Sequence, residues 1–365
     1  MELPTKKQTG IQWSQIASLA ALNAAVVFSW IAYNNYQPKI LEKFQLQELT
    51  IFLAFAQTLV MVLIPPLAGL LGDYMIKKNS NRFLIFTIGI SITAMVFMAV
   101  AFTVSGHLFE SWKSMLPILI LIWLISMNIF ISPANSMIEL FAPTKQLPIV
   151  MGVLVMVTEI VAALEPSIIV LIDTLGPTST FVGGGILIAV TGYSFKKSTN
   201  NIIHRNADDS NNNSKNNFGK IILVGLLLGA ITGIIMNIFP TLLEQKLIDI
   251  KIISKNAPYL VSLLLIIAAI LALPFSKWVE QNGTPKGIII GLLGAIALTI
   301  LIFMTSGWIC LVACLGLAAF YSLASVSAFP YALQNLNVKD VAYGTGIFIG
   351  STELIDQLIN VYGIL

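Results

Sequence analysis

Gly152-Val-Leu-Val-Met-Val-Thr158-Glu159-Ile160 decides how this chain is read, because a close copy of it returns as Gly346-Ile-Phe-Ile-Gly-Ser-Thr352-Glu353-Leu354. Both copies lie inside apolar runs long enough to cross a bilayer, which takes about 20 mostly apolar residues. Each copy sets one carboxylate near the middle of its run. Insertion scales put the cost of such a group at about 2.5–3.5 kcal/mol, so a carboxylate at that depth marks a functional site. A second pair repeats in the same sense. Asn35-Tyr-Gln-Pro38-Lys-Ile-Leu41-Glu42 parallels Asn237-Ile-Phe-Pro240-Thr-Leu-Leu243-Glu244. Two repeated halves, each with a mid-membrane acid, fit a transporter built from parallel repeats.

Composition sets the solvent. Of 365 residues, 57% are hydrophobic and only 10% charged, more apolar surface than a soluble domain can bury. Eleven apolar runs follow one another, at about 14–36, 49–73, 83–105, 115–139, 147–172, 178–195, 219–243, 257–277, 286–305, 308–333 and 343–365. The first is too long for a signal peptide and reads as a retained span. Barrel strands would be shorter and would alternate strictly, so the expected class is an all-α membrane protein. Residues 1–195 form a six-helix half and 219–365 a second half of five helices. The segment 196–218 reads as a flexible linker, because its Asn-rich, low-complexity sequence cannot pack a core. The sixth run has no counterpart after Leu365. The expectation is that a twelfth helix is missing and that the chain is a fragment.

The charges give orientation and exclude other functions. With the N-terminus inside, fourteen of the 20 Lys and Arg fall on inner segments, among them Lys6, Lys7, Lys77, Lys78, Arg82, Lys196 and Lys197. The positive-inside rule then puts the N-terminus and the linker in the cytoplasm, the chain being multi-pass in the cytoplasmic (inner) membrane. A net charge of +3 gives no reason for a nucleic-acid partner. Cys310 and Cys314 sit four apart in one run and read as packing residues. His107 and His204 fall in loops. Nothing resembles a catalytic triad, a phosphate loop or a metal box, so neither an enzyme nor a cofactor is expected, and a monomer is.

At Gly69-x-x-x-Asp73-x-x-x-Lys77-Lys78 the chain resembles the major facilitator superfamily, whose loop between helices two and three has a Gly, an Asp four later and then basic residues. It departs from that pattern with Tyr74 where a basic residue is usual and Ile76 where a Gly is usual. Pro65-Pro66-Leu-Ala-Gly69 and Tyr33-Asn-Asn-Tyr36-Gln-Pro38 look, more loosely, like the glycoside–pentoside–hexuronide:cation symporters. The resemblance implies a bundle of two halves working by alternating access. It also implies a cavity lined by helices one, four, seven and ten, with five and eleven alongside. Asp73 would face the N-terminus of helix eleven, where the helix dipole favours a negative charge, and Gly69, Asp73, Lys77 and Lys78 would form a gate. The other reading of this motif is a solvated basic turn.

Asn23, Asn128, Glu159, Tyr321 and Glu353 fall near the middle of runs one, four, five, ten and eleven. The asparagines and Tyr321 are candidates to bind a small polar solute; the other reading is helix–helix hydrogen bonding. Trp30, Tyr33 and Asn34 lie nearer the outer face, placed either to stack on a sugar ring or to anchor the interface. Within the runs Lys appears only at the ends, at Lys220, Lys277 and Lys286, so the mid-run carboxylates lack a fixed cationic partner and suit a coupling ion, a proton or sodium. Glu353 and Asp356 are three apart and share a helix face. Ala162 stands where the first half would match Asp356. The expectation is that Glu353 and Asp356 carry the coupling ion while Glu159 faces the substrate or helps close the cavity. The other reading turns Asp356 to the rim and Glu353 to a neighbouring helix. The function expected is secondary active transport of a small polar solute across the lipid bilayer. The alternatives are drug or metabolite efflux and a transporter-like sensor or scaffold.

Overall fold

The computed structural model describes residues 10–79, 83–105, 115–203, 216–249 and 256–364. Lys6, Lys7, Arg82, Lys113, Arg205, Lys215, Lys251, Lys255, His107, His204 and the Asn-rich part of the linker lie outside them. Among the described residues every regular element is helical.

Among the described residues, ten helical stretches are long and apolar enough to cross a membrane. The N-terminal half contains α1 (Trp13–Lys43), α2 (Thr50–Asn79), α3 (Leu84–Val104), α4 (Leu116–Ile129), α5 (Ile131–Ser136), α6 (Leu147–Ala163), α7 (Glu165–Leu175) and α8 (Pro177–Ile203). The C-terminal half contains α9 (Phe218–Gly233), α10 (Phe239–Lys246), α11 (Ala257–Asn282), α12 (Thr284–Met304), α13 (Gly307–Gln334) and α14 (Val341–Ile364). The eleventh run is α14, 24 residues long. It carries Glu353 and Asp356 and stands within the bundle against α2 and α9.

Three of the expected runs are not single helices. The fourth divides at Phe130 into α4 and α5, then tightens to a 3₁₀ turn at Met137–Leu140. The fifth divides at Leu164, where Pro166 in the first turn of α7 has no N–H to give an upstream carbonyl. The seventh passes through a π turn at Ile234–Ile238 between α9 and α10. Pro240 follows at the start of α10, and its ring would press on the carbonyl of Met236 in an unbroken α-helix. Widening the backbone to a π turn removes that clash. At the linker, α8 continues through Lys196 and Lys197 to Ile203. Packing on α1 accounts for it: Gln15 Nε2 donates to the Ser198 carbonyl at 2.8 Å, and the Ser18 and Ser198 hydroxyls lie 2.7 Å apart.

The packing shows why α2 forms as it does. Leu59, Leu63, Leu67, Leu70 and Leu71 are all exposed, at helical spacing along one face. An apolar stripe turned outward is what lipid as solvent allows. The opposite face carries Gln57, Met61, Pro65, Ala68, Gly72 and Asp73, all buried. That face meets α14, and glycines set the approach. A Cβ on Gly69 would strike the Ala342 carbonyl, one on Gly346 the Pro65 carbonyl, and one on Gly350 the Val62 carbonyl. A second contact joins the halves where α6 meets α11, with Gly152 of the repeated stretch against Ser276. The first residue of each copy of the repeat therefore sits on a seam between halves.

Candidate functional site

Three groups of polar residues lie on or beside these seams. The first is Glu159 and Tyr321. Glu159 is near the end of α6, half-buried; Tyr321 is buried on α13 in the other half. The Tyr321 hydroxyl donates to Glu159 Oε1 at 3.0 Å, with Thr232 of α9 and Ser325 of α13 beside it. A carboxylate at this depth needs a donor or water. Here the donor belongs to the opposite half, so any separation of the halves at this level breaks the bond.

The second group is on α14. Asp356 Oδ1 accepts from Asn237 Nδ2 at 3.1 Å, and the same amide lies 3.1 Å from the Gly233 carbonyl. Asn237 belongs to the π turn of the seventh span. One turn along α14, the Gln357 side chain lies beside Glu353, whose neighbour in charge is Asp356. Gln357 in turn accepts from Gln57 Nε2 of α2 at 3.1 Å. Around these acids α14 is thus bonded to the π turn of the seventh span on one side, through Asp356, and to α2 on the other, through Gln357.

The third group closes the end of the bundle where Lys77, Lys78 and Lys339 gather. Asp73 Oδ1 accepts from the Ala342 N–H at 3.2 Å and Oδ2 from the Tyr343 N–H at 2.8 Å. These are first-turn donors of α14 with no intrahelical partner, and a carboxylate there also meets the positive end of the helix dipole. Ser132 of α5 donates to the Ala342 carbonyl at 2.6 Å. Gly69 makes room for that carbonyl. Lys77 Nζ lies 3.3 Å from Asp340 Oδ1, while Lys78 stands over the Tyr74 ring at 5.7 Å from its centroid. The non-standard Tyr74 thus meets a cation where the family motif usually supplies one.

The other candidates fall into separate places. Asn23 is half-buried and donates to Asn135 Oδ1 at 3.3 Å, a link between α1 and α5. Asn128 is buried and donates to the Leu124 carbonyl of its own helix at 2.8 Å, so its amide is used locally. Trp30 packs edge-on to Tyr33 at 5.7 Å and tilts over Trp123 at 6.2 Å. Asn34 is exposed on α1 and is not brought to that aromatic group. At the far end Asn35 Nδ2 donates to Asp173 of α7 at 2.9 Å and Lys39 pairs with the same carboxylate at 2.8 Å. Those two donors, Lys39 first, hold the Asp173 carboxyl below the usual carboxylate range. In each half, then, the asparagine of the second repeated stretch reaches an aspartate of that half's fifth span, Asn35 to Asp173 and Asn237 to Asp356.

With this geometry in place, sequence comparison decides the family. The profile of the Major Facilitator Superfamily matches residues 18–354. The chain belongs to the Major Facilitator Superfamily. Solved structures of the same fold include an Escherichia coli fucose:proton symporter, 15% identical with a TM-score of 0.60, covering 96% of this chain and 98% of that one. A bacterial homologue of the iron transporter ferroportin, in an outward-facing state with soaked iron, is 14% identical with a TM-score of 0.69, covering 95% and 90%. A proton:xylose symporter bound to 6-bromo-6-deoxy-D-glucose is 13% identical with a TM-score of 0.61, covering 96% and 95%. No curated protein matches the sequence.

Sequence reasoning missed Asn237, Gln57, Gln357 and Asp340 as members of these groups. Asn237 had a visible signal, since it opens the second repeated stretch. Gln57 and Gln357 had only the signal of lone amides in apolar runs. Their pairing depends on which helices pack, and no spacing in the chain reveals that.

Proposed function

We propose that this protein is a secondary active transporter of the cytoplasmic membrane that moves a small polar solute by alternating access, driven by protons or sodium ions. What carries the reading is the bond between Glu159 of one half and Tyr321 of the other, a carboxylate held at mid-bundle by a donor that must leave when the halves part. In this reading Glu353 and Asp356 take up the coupling ion beside the π turn. Glu159 answers the solute, with Asn23, Trp30 and Tyr321 around its path. The Asp73 cap on α14 and the Lys77–Asp340 pair latch the cytoplasmic end. The N-terminus is cytoplasmic, following the Lys and Arg asymmetry.

Two of the solved structures of the same fold are proton symporters of fucose and xylose, which makes hexoses and pentoses the first solutes to test. The experiment is current or isotope uptake in proteoliposomes under an imposed proton or sodium gradient, across a panel of sugars. The expected result is accumulation of at least one solute that collapses when the gradient is dissipated. A transporter-like sensor or scaffold would bind a solute, or none, and accumulate nothing.

A further inference from the structure

Beside Glu353, a pair of buried amides joins α14 to α2. Gln57 and Gln357 are each 6% exposed and come from opposite halves. Gln57 Nε2 donates to Gln357 Oε1 at 3.1 Å, and Gln357 stands one turn on from Glu353, its side chain beside that carboxyl. An ionised carboxylate only accepts. An ionised Glu353 favours the Gln357 amide with Nε2 toward it and Oε1 toward α2, where Gln57 Nε2 donates. The contact is also well placed. Along α2, Gln57 lies about 24 Å from Asp73 at 1.5 Å per residue. The seam between α2 and α14 is thus held by polar contacts near both ends, with Gly346 and Gly350 packed on α2 backbone between them.

We propose that Gln57 and Gln357 are positioning residues that pass the occupancy of Glu353 to the α2–α14 seam, so that ion uptake and the relative position of the two halves change together. This rests on the coupling role given to α14 above. Asp356 is the other titratable group facing Glu353. The charged groups of α2 that flank the seam, Asp73, Lys77 and Lys78, lie at the cytoplasmic end; among the described residues of α9 the charge is Lys220 in its first turn, and α13 contributes Tyr321 and no charge.

The test is a distance measurement that needs no solute. Spin labels at Tyr193→Cys and Ile289→Cys, both exposed and in opposite halves, are placed in a Cys310→Ala/Cys314→Ala background. The protein is reconstituted in phosphatidylethanolamine/phosphatidylglycerol liposomes. Distance distributions are compared between acidic and alkaline buffer, and between sodium and choline. The native pair is expected to shift in at least one comparison, and Glu353→Gln to lose the shift. Gln57→Met and Gln357→Met are expected to lose it too, though they leave both acids in place. Gln57→Asn keeps an amide but loses reach, and serves if the Met variants do not reconstitute. A merely structural pair would move the baseline distance and keep the shift, which would overturn the inference while leaving the coupling role of Glu353 standing. If native protein does not shift, or Glu353→Gln still does, the coupling role of α14 itself fails.

Discussion

Tyr321 shows how much one hydroxyl carries. Removing it leaves the Glu159 carboxylate at mid-bundle without its donor. Losing a hydrogen bond to a charged group typically weakens a protein by about 1.5–3 kcal/mol. Tyr321→Phe should therefore lower the thermal stability of the detergent-solubilised protein, and Tyr321→Phe with Glu159→Gln should recover part of the loss, because a neutral amide tolerates the site better. If the double variant is no more stable than Tyr321→Phe alone, the bond of 3.0 Å does not hold the halves. Asp173 is the contrasting case, an exposed carboxylate lowered by Lys39 and Asn35. A lowered carboxyl stabilises the fold above its unfolded value, about 3.9 for Asp, and the contribution fades as pH falls through the lowered value. It is also screened by salt. Asp173→Asn should thus change the melting temperature slightly at neutral pH and low salt, and not at all in strong acid or high salt. A large loss at high salt would contradict this. At this scale the sequence was partly legible. Mid-run acids stood out by their insertion cost, whereas the use of Asn128 on its own helix could not be told from a cavity role, because a buried amide has both options.

Helices and their seams were legible in outline. The apolar runs set the spans, and the repeated stretch set the two halves, since Gly152 and Gly346 each begin a copy and each lie on a seam. Breaks within spans were less so. Pro166 and Pro240 announce a disturbance, but not that one gives a break at Leu164 and the other a π turn. The seam itself makes a measurable prediction. Gly346→Ala drives a methyl into the Pro65 carbonyl, whereas Gly183→Ala on α8 meets open space. Overpacking of this kind costs about 1–3 kcal/mol, while Gly to Ala in an open helix interior gains about 0.5–1 kcal/mol. Gly346→Ala should lower the melting temperature by several degrees and Gly183→Ala should hold or raise it. Equal effects at the two positions would mean that α2 and α14 are not in close contact.

For the molecule as a whole, the lipid-facing stripe of α2 and the Major Facilitator match over residues 18–354 agree on how the chain meets its solvent. The proposed orientation, with the N-terminus and the linker inside, predicts that a cysteine at Ser214 reacts with a membrane-impermeant reagent in inverted vesicles and not in intact cells. Labelling in intact cells would reverse the topology. The contact of Asp73 with the start of α14 was legible only through family resemblance, because its donors, Ala342 and Tyr343, lie at the opposite end of the sequence. The same distance hid Asn237 from Asp356.

The central claim is that α14 couples an ion to the movement of a solute, and one substitution tests it most directly. Glu353→Gln, reconstituted in proteoliposomes with the solute that the native protein accumulates, is assayed for gradient-driven accumulation and for downhill exchange. Coupling on α14 predicts that accumulation is abolished while exchange survives in part, since the conformational cycle no longer needs the ion; Glu159→Gln, by contrast, should weaken exchange as well. Normal accumulation by Glu353→Gln under a proton or sodium gradient would contradict the assignment.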